Sequence, residues 1–224
     1  NEVLRVQPRN RAALILRGQY LRSQGLYDRA MADFSAAIEL KGTDPEYYVE
    51  RGLTYAYIED YPAALSDLNM AASLGAIGPE IFYNRGLVQF ELGQFTESVE
   101  SYDQALSHQP DDPWTLINRG FAKQSLGDNP GAASDFQAAI EIDPNLCESY
   151  IGLSNIHLST NDLNKALKYA EQAVAKHPQN GMALNSRGWV KFKQGSLNEA
   201  MEDFDLALRH APQQSIIYNN RGVC

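Results

Sequence analysis

Apolar and small residues along the chain recur at helical spacing inside a longer beat of 34 residues. In frames beginning at Arg11, position 4 holds Leu14, Tyr48, Phe82, Leu116, Tyr150, Leu184 and Tyr218. Position 8 holds Gly18, Gly52, Gly86, Gly120, Ser154, Gly188 and Gly222. Position 20 is Ala30, Ala64, Ser98, Ala132, Ala166 and Ala200, and position 27 is alanine throughout, from Ala37 to Ala207. Position 24 reads Phe34, Leu68, Tyr102, Phe136, Ala170 and Phe204, and Pro8, Gly42, Ala76, Pro110, Pro144, Pro178 and Pro212 stand at position 32. Positions 4 and 8 lie one helical turn apart, and 20, 24 and 27 follow the i, i+4, i+7 rule. Each frame therefore predicts two amphipathic helices, A over about positions 2–14 and B over about 18–31.

Local chemistry agrees with that division. Gly25, Gly93, Gly127, Asn161 and Gly195 stand at position 15, where a left-handed residue ends helix A. Pro62 and Pro130 at position 18 suit the first turn of helix B. A mid-helix glycine costs about 1 kcal/mol relative to alanine. Its return at position 8 therefore predicts a close approach of A to B beside the large residue at position 24. One helix pair cannot bury its own apolar stripe, so the units must stack.

These columns resemble the tetratricopeptide repeat (TPR) family. Repeat three shows the pattern nearly whole, with Phe82, Gly86, Gly93, Phe95, Tyr102, Ala105 and Pro110. The resemblance covers residues 1–224 as a single array with full repeats at 11–44, 45–78, 79–112, 113–146, 147–180 and 181–214. Residues 1–10 match the end of a preceding repeat, with Leu4 and Pro8 in register, and 215–224 match the start of a further one. A segment of a longer array is the expectation. The resemblance implies an all-α fold, a right-handed α-solenoid of antiparallel helix pairs whose A helices line a concave groove.

A formal charge of −9 disfavours nonspecific binding to nucleic acid or anionic membranes. No apolar run approaches the ~20 residues that span a bilayer, so membrane insertion is not expected. The two cysteines, Cys147 and Cys224, fall in different repeats and are not expected to pair, which favours a reducing, cytoplasmic setting. A ciliary location stays open.

Position 7 carries Arg17, Arg51, Arg85, Arg119, Arg187 and Arg221, with Leu153 the exception. A ladder of arginines could track an acidic peptide or phosphate. Position 23 reads Asp33, Asp67, Ser101, Asp135, Tyr169 and Asp203. Same-repeat pairing matches four arginines to aspartates, and repeat five loses both partners together, as Leu153 and Tyr169. That co-variation favours a structural ion pair with the arginine stem packed along the helices.

The resemblance points positions 2, 5, 6, 9, 12 and 13 of helix A into the groove. The residues implied as partner-binding there are Val49, Leu53, Tyr83, Asn84, Leu87, Phe90, Trp114, Ile117, Asn118, Phe121, Trp189 and Phe192. Two readings stand: an apolar surface awaiting a partner's segment, or side chains already buried between neighbouring A helices. Phe121, Trp189 and Phe192 are expected to remain the most exposed. Asn84, Asn118 and Asn220 at position 6 partly resemble the asparagine ladder of the O-GlcNAc transferase solenoid, and Leu16, Glu50 and Gly152 break it.

The carboxylate clamp of chaperone-binding TPRs needs lysine at position 5 and basic residues at positions 2 and 6 of a later repeat. This chain has none of these, which argues against Hsp70 or Hsp90 tails as ligands. Repeat five is irregular, with Leu153, Ser154, His157 and Ala170 in unusual places. It reads as drift within the array or as a notch for a partner's side chain. No catalytic, cofactor or metal motif is present, and the acids are spread over outer faces.

The expectation is a non-catalytic protein-interaction scaffold that binds a peptide or helix in its groove. The alternatives are the substrate-recruiting arm of an enzyme whose catalytic domain lies elsewhere, or a structural subunit of a large assembly such as a ciliary or transport complex.

Overall fold

A computed structural model describes residues 7, 9–40 and 43–224. Among them the chain forms thirteen α-helices and no strand. The A helices are α1 (Arg11–Ser23), α3 (Pro45–Tyr57), α5 (Pro79–Glu91), α7 (Pro113–Ser125), α9 (Cys147–Ser159) and α11 (Gly181–Lys193). Their B partners are α2 (Tyr27–Leu40), α4 (Tyr61–Ser73), α6 (Phe95–His108), α8 (Asn129–Ile142), α10 (Leu163–Lys176) and α12 (Leu197–His210), and α13 (Ser215–Val223) follows them. The reading of residues 1–6 and 8 as the end of a preceding repeat and the turn at Gly42 lie outside the described residues, and residues 215–223 are helical.

Each described helix starts one residue earlier than the apolar periodicity suggests, and at seven of them a side-chain cap fixes the start. At position 34, Asn10, Asp44, Asp112 and Asn180 accept backbone N–H groups from the first turn of the following A helix at 2.8–3.3 Å. At position 16, Asp60, Asp128 and Asp162 do the same for B helices at 2.9–3.2 Å. These side chains satisfy N–H groups that have no partner inside the helix. At position 15 the backbone turns left-handed in every repeat, and repeat two does so with a glutamate: Glu59 has φ +62°.

The chain divides into two compact units, Asn1–Pro110 and Asp111–Cys224. The same contact builds the helix pairs of both. A Cβ placed on Gly18 would stand 2.5 Å from the Phe34 ring, and on Gly86 2.6 Å from that of Tyr102. In the second unit the corresponding distances are 2.8 Å from Gly120 to Phe136 and 3.0 Å from Gly188 to Phe204. The position-24 side chains are fully buried. Positions 3 and 10 of the next A helix close the layer from the other side, as Ile81 and Val88 do over Ala64, Leu68 and Ala71.

Repeat five solves the same packing problem with other parts. Ala170 leaves room that Val190 of α11 and Leu158 help to fill. Ser154 spans the remaining gap, its hydroxyl donating to the Ala166 carbonyl at 2.9 Å. In repeat three the polarity is reversed, with Ser98 donating to the Gly86 carbonyl at 2.8 Å. Gly152, which breaks the asparagine column, has a packing reason: a Cβ there would strike the Phe136 ring. That ring is held between Gly120 on α7 and Gly152 on α9.

Four substitutions at three positions test the packing by urea unfolding. Glu59→Gly removes left-handed strain and should stabilise the chain by about 1 kcal/mol, whereas Glu59→Ala should not. Gly152→Ala should destabilise it by about 1–3 kcal/mol through overpacking, and Phe136→Leu should relieve most of that loss.

Candidate functional site

Two surfaces compete for the functional role, the arginine column and the A-helix faces. Arg17, Arg51, Arg85, Arg119 and Arg187 turn towards helix B of their own repeat, whereas Arg221 reaches Asp205 of the preceding one at 2.6 Å. Arg17 and Asp33 form two hydrogen bonds of 2.6 Å, and Arg51 meets Asp67 at 2.7 and 2.9 Å. In the second unit Arg119 meets Asp135 at 2.6 and 2.9 Å, and Arg187 meets Asp203 at 2.5 and 2.9 Å. Each aspartate is buried and each arginine is partly shielded. These forked pairs join residues sixteen apart and fix the register of A on B. Hydrogen bonding to Asp67 and Asp203 raises the Arg51 and Arg187 guanidinium pKa values above their ordinary range. Arg85 faces Ser101 (2.9 Å) and Gln104 (2.5 Å), and burial pulls its pKa downward.

A third column, which sequence reasoning missed, completes the seam at position 11. Lys123 reaches Asp135 at 2.8 Å and Lys191 reaches Asp203 at 2.9 Å. Gln89 meets the Ser101 hydroxyl at 2.6 Å. In repeat five His157 stacks on Tyr169, ring centroids 5.4 Å apart and planes 9° apart. The loss of Arg and Asp together is thus a replacement of the ion pair by a ring stack beside Leu153. The signal was present in the residues shared by columns 7, 11 and 23.

Among the described residues, consecutive A helices touch within each unit and no two B helices do, so the A helices form the inner face of each. In the first unit Val49, Leu53, Tyr83, Asn84, Leu87 and Phe90 are all half-buried on α3 and α5. Phe90 packs edge-on against Phe95 with centroids 5.3 Å apart. Asn84 donates to the Glu80 carbonyl of its own helix at 2.7 Å. Glu50 is tied down by Arg22 at 2.7 Å and Gln19 at 2.8 Å.

In the second unit Trp114 is 44% exposed, and Asn118, Phe121, Trp189 and Phe192 are half-buried. Ile117 departs from the expectation: at 1% exposure it belongs to the core and offers a ligand no surface. Phe121, expected among the most exposed, is held edge-on against Phe136 at 4.9 Å. Trp189 and Phe192 stack at 5.2 Å, with the Lys193 ammonium 4.9 Å over the indole. Exposed Met182 at position 2 of α11 adds an apolar group to the same face. Asn220 donates to Asn185 at 2.9 Å, so the position-6 asparagines do not form one open ladder.

Among the described residues, no three His, Cys, Asp or Glu side chains gather as a metal site, and no helix is long and apolar enough to cross a membrane. Cys147 and Cys224 are free thiols, and burial pushes the Cys147 pKa up to about 12.

Comparisons with known proteins concern the fold. Tetratricopeptide repeat models match residues 1–45 and 151–215, and 79–112. No curated protein matches the sequence. Among solved structures, YrrB, described as a TPR protein with an unusual peptide-binding site, is 22% identical. Its match covers 83% of this chain and 96% of that one, with a TM-score of 0.73. A tetratricopeptide repeat protein from Parabacteroides merdae is 19% identical over 99% of this chain and 88% of that one, with a TM-score of 0.79. MamA is 19% identical over 72% and 95%, with a TM-score of 0.68.

The seam makes a prediction of its own. Asp67→Ala leaves the shielded Arg51 without its acid and should lower stability by about 2–4 kcal/mol in urea unfolding. Combining Arg51→Leu with Asp67→Tyr, after the example of Leu153 and Tyr169, should lose less than Asp67→Ala alone.

Proposed function

The chain belongs to the tetratricopeptide repeat family, and on that premise we propose that it is a protein-interaction scaffold whose A-helix faces hold a segment of a partner protein. The observation that carries this reading is the division between the two candidate surfaces. The arginines are engaged inside the repeats, whereas the A helices present half-exposed apolar and aromatic side chains on their inner face. Side chains of this kind gain most when a ligand excludes water from them. The peptide-binding site attributed to YrrB, a protein of the same fold, supports the same reading.

The two inner faces differ in chemistry. That of the first unit combines an apolar floor with the carboxylates of Glu46, Glu80 and Glu91 at its rim. That of the second is predominantly aromatic, with Trp114, Phe121, Trp189 and Phe192, and carries the Lys193 ammonium over the Trp189 ring. Each face therefore selects its own kind of segment.

A peptide selected from a random library on the immobilised chain and measured by fluorescence anisotropy tests the proposal. Leu87→Glu for a first-unit binder, or Phe121→Glu for a second-unit binder, should weaken it about ten- to hundredfold, the equivalent of one buried large side chain. Circular dichroism should show unchanged helicity. Selected peptides that bind both variants as tightly as the parent would refute it.

A further inference from the structure

Two requirements of the fold meet in one reactive dipeptide. The capping column at position 34 places Asp44 and Asp112 before proline, and Asn10 before Arg11. Ahead of α11 the cap is Asn180 and the next residue is Gly181, which makes the only Asn–Gly pair in the sequence. Packing accounts for that glycine. It is buried, and a Cβ on it would stand 2.5 Å from the Ala211 Cβ and 3.1 Å from the Ala207 carbonyl oxygen, beside the end of α12.

Asparagine before glycine is prone to attack by its own backbone, because no side chain shields the next amide nitrogen. The Gly181 nitrogen bonds to Asn180 Cγ, the Cγ–Nδ2 bond breaks, and ammonia leaves with the proton that the amide gives up. Water then opens the cyclic imide at either carbonyl and yields aspartate or isoaspartate. In the folded chain both ends of the carboxamide are held. Oδ1 accepts from the Met182 and Ala183 N–H groups at 2.9 and 3.0 Å, and Nδ2 donates to Cys147 Sγ on α9 at 3.1 Å. The Asn180 N–H donates to the His177 carbonyl at 3.0 Å. Closing the imide requires the carboxamide to leave these partners, so the junction between repeats five and six must open first.

The two products differ in what they restore. Aspartate keeps an oxygen for the Met182 and Ala183 N–H groups, and its charge suits a helix N-terminus. Isoaspartate routes the main chain through the former side chain. It lengthens the backbone where Gly181 is wedged against Ala211 and takes the capping oxygen out of its place.

We propose that Asn180 is a site of spontaneous deamidation gated by its contacts with Cys147 and the first turn of α11, and that isoaspartate formed there prevents α11 from docking again on α9 and α12. A reversible opening within the second unit thereby becomes a permanent one.

The full chain, incubated at mildly alkaline pH in buffer or in guanidinium chloride and then digested, tests this by fragment-ion mass spectrometry of peptide 177–187 and by enzymatic methylation of isoaspartate. Unfolded, Asn180 should be modified ahead of every other asparagine. Folded, it should react at least about tenfold more slowly, since the cap must be released first. Cys147→Ala removes the acceptor of Nδ2 and should raise the folded-state rate about two- to tenfold, whereas Cys147→Ser, which restores one, should not. The purified isoaspartyl chain should unfold at lower urea concentration and be cut by protease between residues 176 and 181, and Asn180→Asp should behave as the parent does. Equal rates in the folded and unfolded chain, or a Cys147→Ala chain that reacts at the parent's rate, would overturn the gate. An Asn180 that stays intact in guanidinium chloride would overturn the site, and an isoaspartyl chain as stable as Asn180→Asp would overturn the consequence.

Discussion

The close approach of helix A to helix B at position 8 is the constraint on which the rest of the molecule depends. A glycine there admits the edge of a buried ring, as at Gly86 against Tyr102 and Gly120 against Phe136. The size of one residue sets the size of the other. Where position 24 shrinks to Ala170, position 8 grows to Ser154 and its hydroxyl bridges to the backbone of helix B. Side chains in a close-packed interior must make such trades, because neither a void nor an overlap is tolerated cheaply.

Once A and B are this close, position 7 faces position 23, and the polar seam follows. Arg51 and Asp67 lie sixteen residues apart and meet as a fork, and the same spacing recurs in both units. Such a pair contributes geometry more than net stability, since desolvation offsets much of the attraction. Its value to function is indirect. With the arginines turned towards helix B, the inner face of each unit is left to Leu53, Leu87, Phe121 and Trp189, whose partial exposure suits an apolar ligand. Of the carboxylates on the first unit's A helices, Glu50 is held by Arg22, whereas Glu46, Glu80 and Glu91 are exposed.

Much of this was legible in the residues. The cost of a mid-helix glycine made Gly18 and its successors a packing signal, and the joint loss at Leu153 and Tyr169 identified the ion pair before any distance was known. The capping column at Asn10, Asp44, Asp112 and Asn180 was equally visible, yet apolar periodicity alone places the helix starts one residue late. What the pattern could not resolve was depth. Ile117 and Val49 occupy the same column, but Ile117 is sealed in the core and Val49 is half-open, a difference that position in the repeat does not encode. Phe121 shows the same limit: its ring finds Phe136 on helix B of its own repeat, a contact between columns 9 and 24 that apolar periodicity does not reveal.

The central claim is that the arginine seam is structural and the A-helix faces are functional. The most direct measurement is NMR of the chain with ¹⁵N-labelled arginine and the backbone amides observed together, as a selected peptide is titrated in. The account predicts shifts at A-helix residues around Leu53 and Leu87, or around Phe121 and Trp189, while the Arg51, Arg119 and Arg187 Nε signals stay where they are. Displaced Nε signals with silent A-helix faces would contradict it and return the arginine column to the role of ligand track.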